Sequence, residues 1–388
     1  MGTLPKPICT PPEKEELAGR LAKVRALMES KKLDCYVSFD PVNIYYLTNF
    51  ANNVHERPFI LIVKPTGIPV MLCPLLELSH VKTRARCELE YVTYYEVPSP
   101  KGQNWYDLYK KLIDKKARVG IESALPVGIA KETPGTHVVD DIIDEVRLVK
   151  TEYEIARTIH ACSVVDLGHE KLLEVTRPGV VEVLIYGEVV GAMMGKTLME
   201  IPTANLIVSK FVGAVWPPAL SHDPHIVPQP VTAMEEGGPH VSIVAAQIDG
   251  YGVEVERTLF LGRVPEGARK PFDIMIKSRA AAYAMLKPGA ILEDIDRAAR
   301  KVIIDAGYEK YILHRTGHGF GITGHEAPYV ALGDTRRLEP GMIISIEPGI
   351  YIPGEGGYRH SDTVLITETG YERLTRTPDT LEAMTVAL

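Results

Sequence analysis

The 388-residue sequence predicts an α/β (α+β) chain of two domains: an α/β domain with a mixed sheet over residues 1–147, then curved sheet backed by helices over residues 148–388. Three observations predict it. The length exceeds what one core usually serves. Short apolar runs alternate with helical patterns in the first part. The polar segment from Glu145 to Glu154 then opens long helical patterns interleaved with strand-like runs that carry or abut polar residues.

From Thr10, the run Thr-Pro-Pro-Glu13 matches a capping box with proline in the first turn, and Leu17, Leu21, Val24 and Met28 follow at helical spacing. Asp34 to Phe39, Phe59 to Val63, Pro69 to Cys73 and Val119 to Glu122 read as strands, and Trp105 to Ile113 as a helix. The turn Lys64-Pro-Thr-Gly67 joins two of those strands, so at least one pair is antiparallel. Ile155, Ile159, Cys162 and Val165 set the first long helix of the second domain. Pro265 to Met285 and Ile291 to Asp305 set two more, separated by Lys287-Pro-Gly289. Strand-like runs lie at Val241 to Ala245, Val253 to Leu261, Met342 to Ile346 and Thr363 to Ile366.

A net charge of −7 with both signs interspersed leaves no footprint for nucleic acid or an anionic membrane. No apolar run reaches the ~20 residues of a membrane helix, and the start has no apolar signal core, so a cytoplasmic chain acting on a small molecule is expected. Cys9, Cys35, Cys73, Cys87 and Cys162 are scattered with no Cys-x-x-Cys pair and read as buried reduced thiols.

The chemistry begins with Glu254 and Glu256, two apart on a strand and therefore on one face. The bland reading is a solvated face. If the face is buried, the two carboxylates need a cation, a shared proton or a cationic substrate. His318 and His325 lie in a Gly-rich run where backbone can approach a ligand, and Glu347 ends an apolar strand, where an unpaired carboxylate is costly. His222 and His225 share a Pro-rich loop, from which one histidine can serve as acid or base.

The runs His314-Arg-Thr-Gly-His-Gly-Phe-Gly, His325-Glu-Ala-Pro-Tyr, Leu338-Glu-Pro-Gly-Met and Ser345-Ile-Glu-Pro-Gly-Ile-Tyr-Ile-Pro-Gly are very similar to those of prolidases. The chain resembles the creatinase, prolidase and methionine aminopeptidase superfamily over nearly its whole length. That resemblance implies a creatinase-like N-terminal domain and a C-terminal pita-bread domain of curved antiparallel sheet. It also implies two metal ions held by two aspartates eleven apart, a histidine and two glutamates. Glu254, His318 and Glu347 stand at three of those positions; Ile243 and Ser361 stand at the other two. Ile243 cannot coordinate, and paired hard ions need bridging carboxylates. A single ion, such as manganese, cobalt or zinc, on Glu254, His318 and Glu347 is the alternative to no cofactor, with Asp249, His360 or Asp362 as substitutes.

Gly250-Tyr-Gly-Val-Glu-Val-Glu-Arg-Thr-Leu-Phe-Leu resembles creatinase, a metal-free member, and Glu56-Arg-Pro-Phe-Ile-Leu-Ile-Val63 resembles the stretch whose arginine enters the partner subunit's site. The resemblance implies a metal-independent hydrolase of a carbon-nitrogen bond in a carboxylate-bearing guanidino or amidino compound, creatinase-like or ectoine hydrolase-like. In it Glu256 and Glu347, with Glu254, clamp the cation and His222 moves the proton. His318 and His325 orient substrate or stabilise the intermediate, Arg359 binds substrate, and Arg57 binds carboxylate across a homodimer. The alternatives are a Xaa-Pro dipeptidase or aminopeptidase with a reduced metal site, for which His222, His325 and Arg359 have counterparts, and a non-catalytic binding protein on the same fold. Retained acid–base and carboxylate groups argue against the last.

Overall fold

The structure, a computed structural model, describes residues 4–53 and 56–388. Two compact units divide it: Thr10–Arg147 is one, and Leu148–Leu388 with residues 4–9 is the other.

In the first unit six strands lie in the order Glu90–Tyr94, Val70–Pro74, Ile60–Val63, Cys35–Ser38, Arg118–Ile121, Thr136–Val139. Ile60–Val63 is antiparallel to both its neighbours and the outer pairs are parallel, which gives the mixed sheet that the Lys64–Gly67 turn requires. The first helix runs over Lys14–Ser30 with Glu13 as its N-cap and no side-chain cap bond, not from the Thr10 box. A residue before proline is pushed out of the α region, and Pro11 and Pro12 impose this on Thr10 and Pro11, so no helix can start there. The buried carboxylate of Glu122 accepts from Ser38 Oγ, Asn43 Nδ2 and the amides of Phe39 and Asp40 at 2.6–3.0 Å, tying two strands and a helix together.

In the second unit a true capping box, Thr151 with Glu154, starts the helix Glu152–Val175. The following helix, Glu182–Glu200, is invisible to sequence pattern because Gly187, Gly191 and Gly195 interrupt it. Tertiary packing overrides that weak propensity: Ile185, Val189 and Met193 are fully buried, and Val189 packs so closely on the strand Lys210–Trp216 that a Cβ at Gly213 would fall 2.2 Å from it.

The long hairpin Gly237–Ile248 and Tyr251–Leu261 turns on Asp249 (φ 44°) and Gly250 (φ 92°), the positive pair that matches strand twist. Asp249 is thereby a turn residue, its carboxylate accepting from Arg157 Nη2 at 3.2 Å and the Asn205 amide at 2.7 Å, and not a substitute metal ligand. A second antiparallel sheet runs Glu326–Val330, Gly317–Gly319, Ile343–Ile346, Asp362–Ile366, Tyr371–Arg373. The two sheets meet where the Glu256 and Ser361 backbones exchange hydrogen bonds at 3.0 and 3.2 Å, and this junction forms the curved floor on which the polar residues converge. Among the described residues no helix is long and apolar enough to cross a membrane.

Candidate metal centre

The strand Tyr251–Leu261 is buried along its full length, so its charges do not face water. Val253, Val255, Leu259 and Leu261 join the apolar core, and alternation turns Glu254 and Glu256, only 5% and 3% exposed, to the opposite face. Glu347 reaches the same point from the end of Ile343–Ile346, and His318 from Gly317–Gly319. Glycine is required beside His318: a Cβ at Gly317 would lie 2.1 Å from the Ser345 carbonyl oxygen.

These groups line a cavity of about 590 Å³ with Trp216, His225, Ile243, His314, Arg315, His325 and Arg359, a volume suited to a small molecule or short peptide. His318 Nε2 stands 3.2 Å from Glu347 Oε1 and 3.6 Å from Glu254 Oε1, while its Nδ1 contacts the Gly319 carbonyl at 3.1 Å. Burial opposes charge on His318, but the Glu347 and Glu254 carboxylates overcome it and push its pKa up to about 11. Burial would likewise raise Glu347, yet His318 holds it down at about 2. A proton and a metal ion therefore compete for the same Nε2 lone pair. Ser345 Oγ donates to Glu347 at 3.0 Å and accepts from the His318 amide at 2.9 Å, locking both side chains to one strand. His325, exposed at its outer edge, stacks on His318 with centroids 3.9 Å apart, and partial desolvation together with the neighbouring imidazolium lowers its pKa.

Glu256 is held by the chain's own guanidinium. Arg359 Nη2 donates to its Oε1 at 2.6 Å, and Nε lies 2.6 Å from Oε2 without hydrogen-bond alignment. Arg359 also donates to Tyr351 Oη at 3.0 Å and the Pro224 carbonyl at 3.2 Å, and Tyr351 Oη lies 2.7 Å from His314 Nε2. Burial pushes the Glu256 carboxyl up, opposed by Arg359, whose own pKa rises through its carboxylate neighbours. Ser361 Oγ donates to Glu254 Oε1 at 3.1 Å, and Ile243 pairs across the hairpin with Glu256.

These donors fit one divalent ion. Glu254, His318 and His325, and separately Glu254, Glu256 and Glu347, have ligand atoms within 4.8 Å of one another. They do not fit two: Ile243 presents hydrocarbon and Ser361 a neutral hydroxyl engaged with Glu254, and neither supplies the anionic oxygen a second hard cation needs.

Residues 150–368 match the metallopeptidase family M24, and residues 20–149 match the creatinase/prolidase N-terminal domain. The chain belongs to metallopeptidase family M24. An uncharacterized peptidase of Staphylococcus aureus is 30% identical over 92% of this chain and 98% of its own. The prolidase from Pyrococcus horikoshii superposes with a TM-score of 0.81 at 28% identity, covering 94% of this chain and 99% of that one. The prolidase from Pyrococcus furiosus does so at 0.78 and 29%, covering 91% and 99%.

These similarities overturn the metal-independent amidine or guanidine hydrolase that the creatinase-like segment suggested, and with it the expectation of no cofactor. The physical reason is local: the Glu256 clamp expected to bind a substrate guanidinium is filled by Arg359.

Other expected residues fall elsewhere. His225 lines the cavity; His222, at the C-terminus of the short helix Pro218–Ser221, does not. Nothing in the sequence spacing of His314, Arg315, Trp216 and Tyr351 carries their convergence at the cavity. Arg57 belongs to the first unit, with Nε 3.2 Å from Glu56 and Nη1 3.4 Å from Glu96. His360 is fully buried edge-on to Phe272, and burial drives its pKa well down, so it is an internal neutral ring. Asp362 faces away from the cavity residues. It holds Arg257 at 2.8 Å, forms a short pair with Arg279, and accepts from Thr375 Oγ1 at 2.8 Å. Burial would raise its carboxyl, and the two guanidiniums hold it below the usual carboxylate range.

Asp362→Asn should therefore lower stability by about 3–5 kcal/mol, the cost of stranding buried guanidiniums, while leaving metal stoichiometry unchanged. Calorimetric melting beside metal analysis checks this; lost metal at unchanged stability would make Asp362 a ligand after all.

Proposed function

We propose that this protein is a Xaa-Pro dipeptidase or aminopeptidase that works with a single divalent ion held by Glu254, His318 and Glu347. The observation that carries the reading is that Glu347 and Glu254 stand 3.2 and 3.6 Å from His318 Nε2 in the cavity, with Ile243 on its wall and Ser361 bonded to Glu254 at the two remaining ligand positions. The likeness to prolidases supports the substrate class. When bound, the ion supplies a Lewis acid for the scissile carbonyl and for water.

The remaining chemistry falls to the chain. A Xaa-Pro bond is a tertiary amide, so its nitrogen must gain a proton before the carbon–nitrogen bond breaks. Glu347, kept in register by Ser345, takes a proton from the attacking water. His225, on the Pro-rich loop lining the cavity, gives one to the departing proline nitrogen. His325 donates to the substrate carbonyl, and the Glu256–Arg359 pair fixes the wall opposite. Arg315, stacked 4.5 Å from the centroid of the Tyr329 ring, offers a cation for the substrate carboxylate. Arg57 adds a second cation if a homodimer brings it to the partner's pocket, through the bidentate contact that guanidinium and carboxylate favour.

Cleavage of a Xaa-Pro dipeptide should fall more than about 100-fold on chelation and return with manganese, cobalt or zinc; full turnover in chelator would sink the proposal. His225→Ala should lower kcat by roughly 10²–10⁴ with metal content intact, whereas His222→Ala should stay within about threefold. Equal losses in the two variants would remove the assignment of the proton to His225. For Arg57, sedimentation should give a dimer and Arg57→Ala a raised KM at unchanged kcat; a monomer rules that contact out.

A further inference from the structure

Away from the cavity, a thiol, an imidazole and a carboxylate meet on the helix pair that backs the sheet. Cys9, His160 and Glu200 have ligand atoms within 4.8 Å of one another. His160 lies on the helix Glu152–Val175 and is only 3% exposed; Glu200 is the last residue of the helix Glu182–Glu200; Cys9 ends the segment of residues 4–9. That segment is anchored beside the cluster by the Ile8 amide, which donates to the Ala156 carbonyl at 3.3 Å.

His160 is half satisfied. Its Nε2 meets Glu200 Oε2 at 2.8 Å, and Lys196 Nζ donates to Glu200 Oε1 at 2.7 Å, but His160 Nδ1 is sealed from solvent with no hydrogen-bond partner. The Nε2 side of the ring, which faces Glu200, is therefore the side that an ion in the cluster engages. Burial disfavours the imidazolium of His160, which leaves the neutral ring a metal needs.

We propose that Cys9, His160 and Glu200 form a second metal site, for a thiophilic divalent ion such as zinc, which fastens residues 4–9 to the middle of one helix and the C-terminus of the next. The donor set is the argument for zinc over manganese: thiolate and imidazole are borderline-soft ligands, while the cavity offers no sulfur. Bond lengths of ~2.0–2.3 Å in a tetrahedron put donor atoms roughly 3.3–3.8 Å apart, so the present spread closes by side-chain rotation. Cys9 is half-buried and Glu200 exposed, which leaves a path for the ion and a position for water.

The test is cobalt(II) titration of the full-length protein under reducing conditions, read by the thiolate-to-cobalt charge-transfer absorption that an oxygen–nitrogen site cannot produce. The band should appear in wild type, persist in Glu254→Gln, and vanish in Cys9→Ser, with zinc competing it away. In thermal melts, zinc should raise the midpoint of wild type by more than that of Cys9→Ser, whose remaining shift comes from the cavity ion. Absence of the band in wild type, or its persistence in Cys9→Ser, overturns the site.

Discussion

Three carboxylates, Glu254, Glu256 and Glu347, are buried at one point, and what surrounds them is what keeps them there. Two like charges about 4 Å apart repel by about 4 kcal/mol even at an effective dielectric constant of 20, so the cluster survives only with counter-charge at hand. The chain supplies part of it. Arg359 takes Glu256, and His318, charged in the absence of metal, sits between Glu254 and Glu347. If His318 becomes a neutral ligand, three carboxylates face one guanidinium, and the charge left over is that of a single divalent cation. The Glu256–Arg359 pair thus does for one half of the pocket what a second ion would do elsewhere, which is consistent with Ile243 and Ser361 being tolerated.

The architecture serves that cluster from behind. Glu256 and Ser361 form the seam between the two sheets, and one residue along each strand Arg257 and Asp362 meet on the reverse side. Alternation sends one member of each adjacent pair to the cavity and the other into the buried ion network. The seam is therefore both the floor of the site and the joint of the unit, and a side-chain change at it acts on stability or chemistry according to which face it points to.

Much of this was legible in the sequence. Alternating Val253, Val255, Leu259 and Leu261 fixed which face Glu254 and Glu256 share, and the Gly-rich run around His318 marked a close backbone approach. What sequence missed has physical causes. The Glu182–Glu200 helix hides behind glycines that packing overrides, and the Thr10 box fails because two prolines hold the backbone extended. The choice between His222 and His225 depends on a short helix that ends at Ser221 and turns only the later ring to the cavity. Sequence shows that buried Glu256 needs a cation but not which one: that cation is Arg359, a residue more than a hundred positions away whose arrival depends on the fold.

That the cavity holds one ion is tested most directly by anomalous diffraction from crystals soaked in manganese. A single peak among Glu254, His318 and Glu347 at full occupancy, with no density between Ile243 and Ser361, is the result the account predicts. Two peaks within the cavity, or none there at saturating manganese, would contradict it.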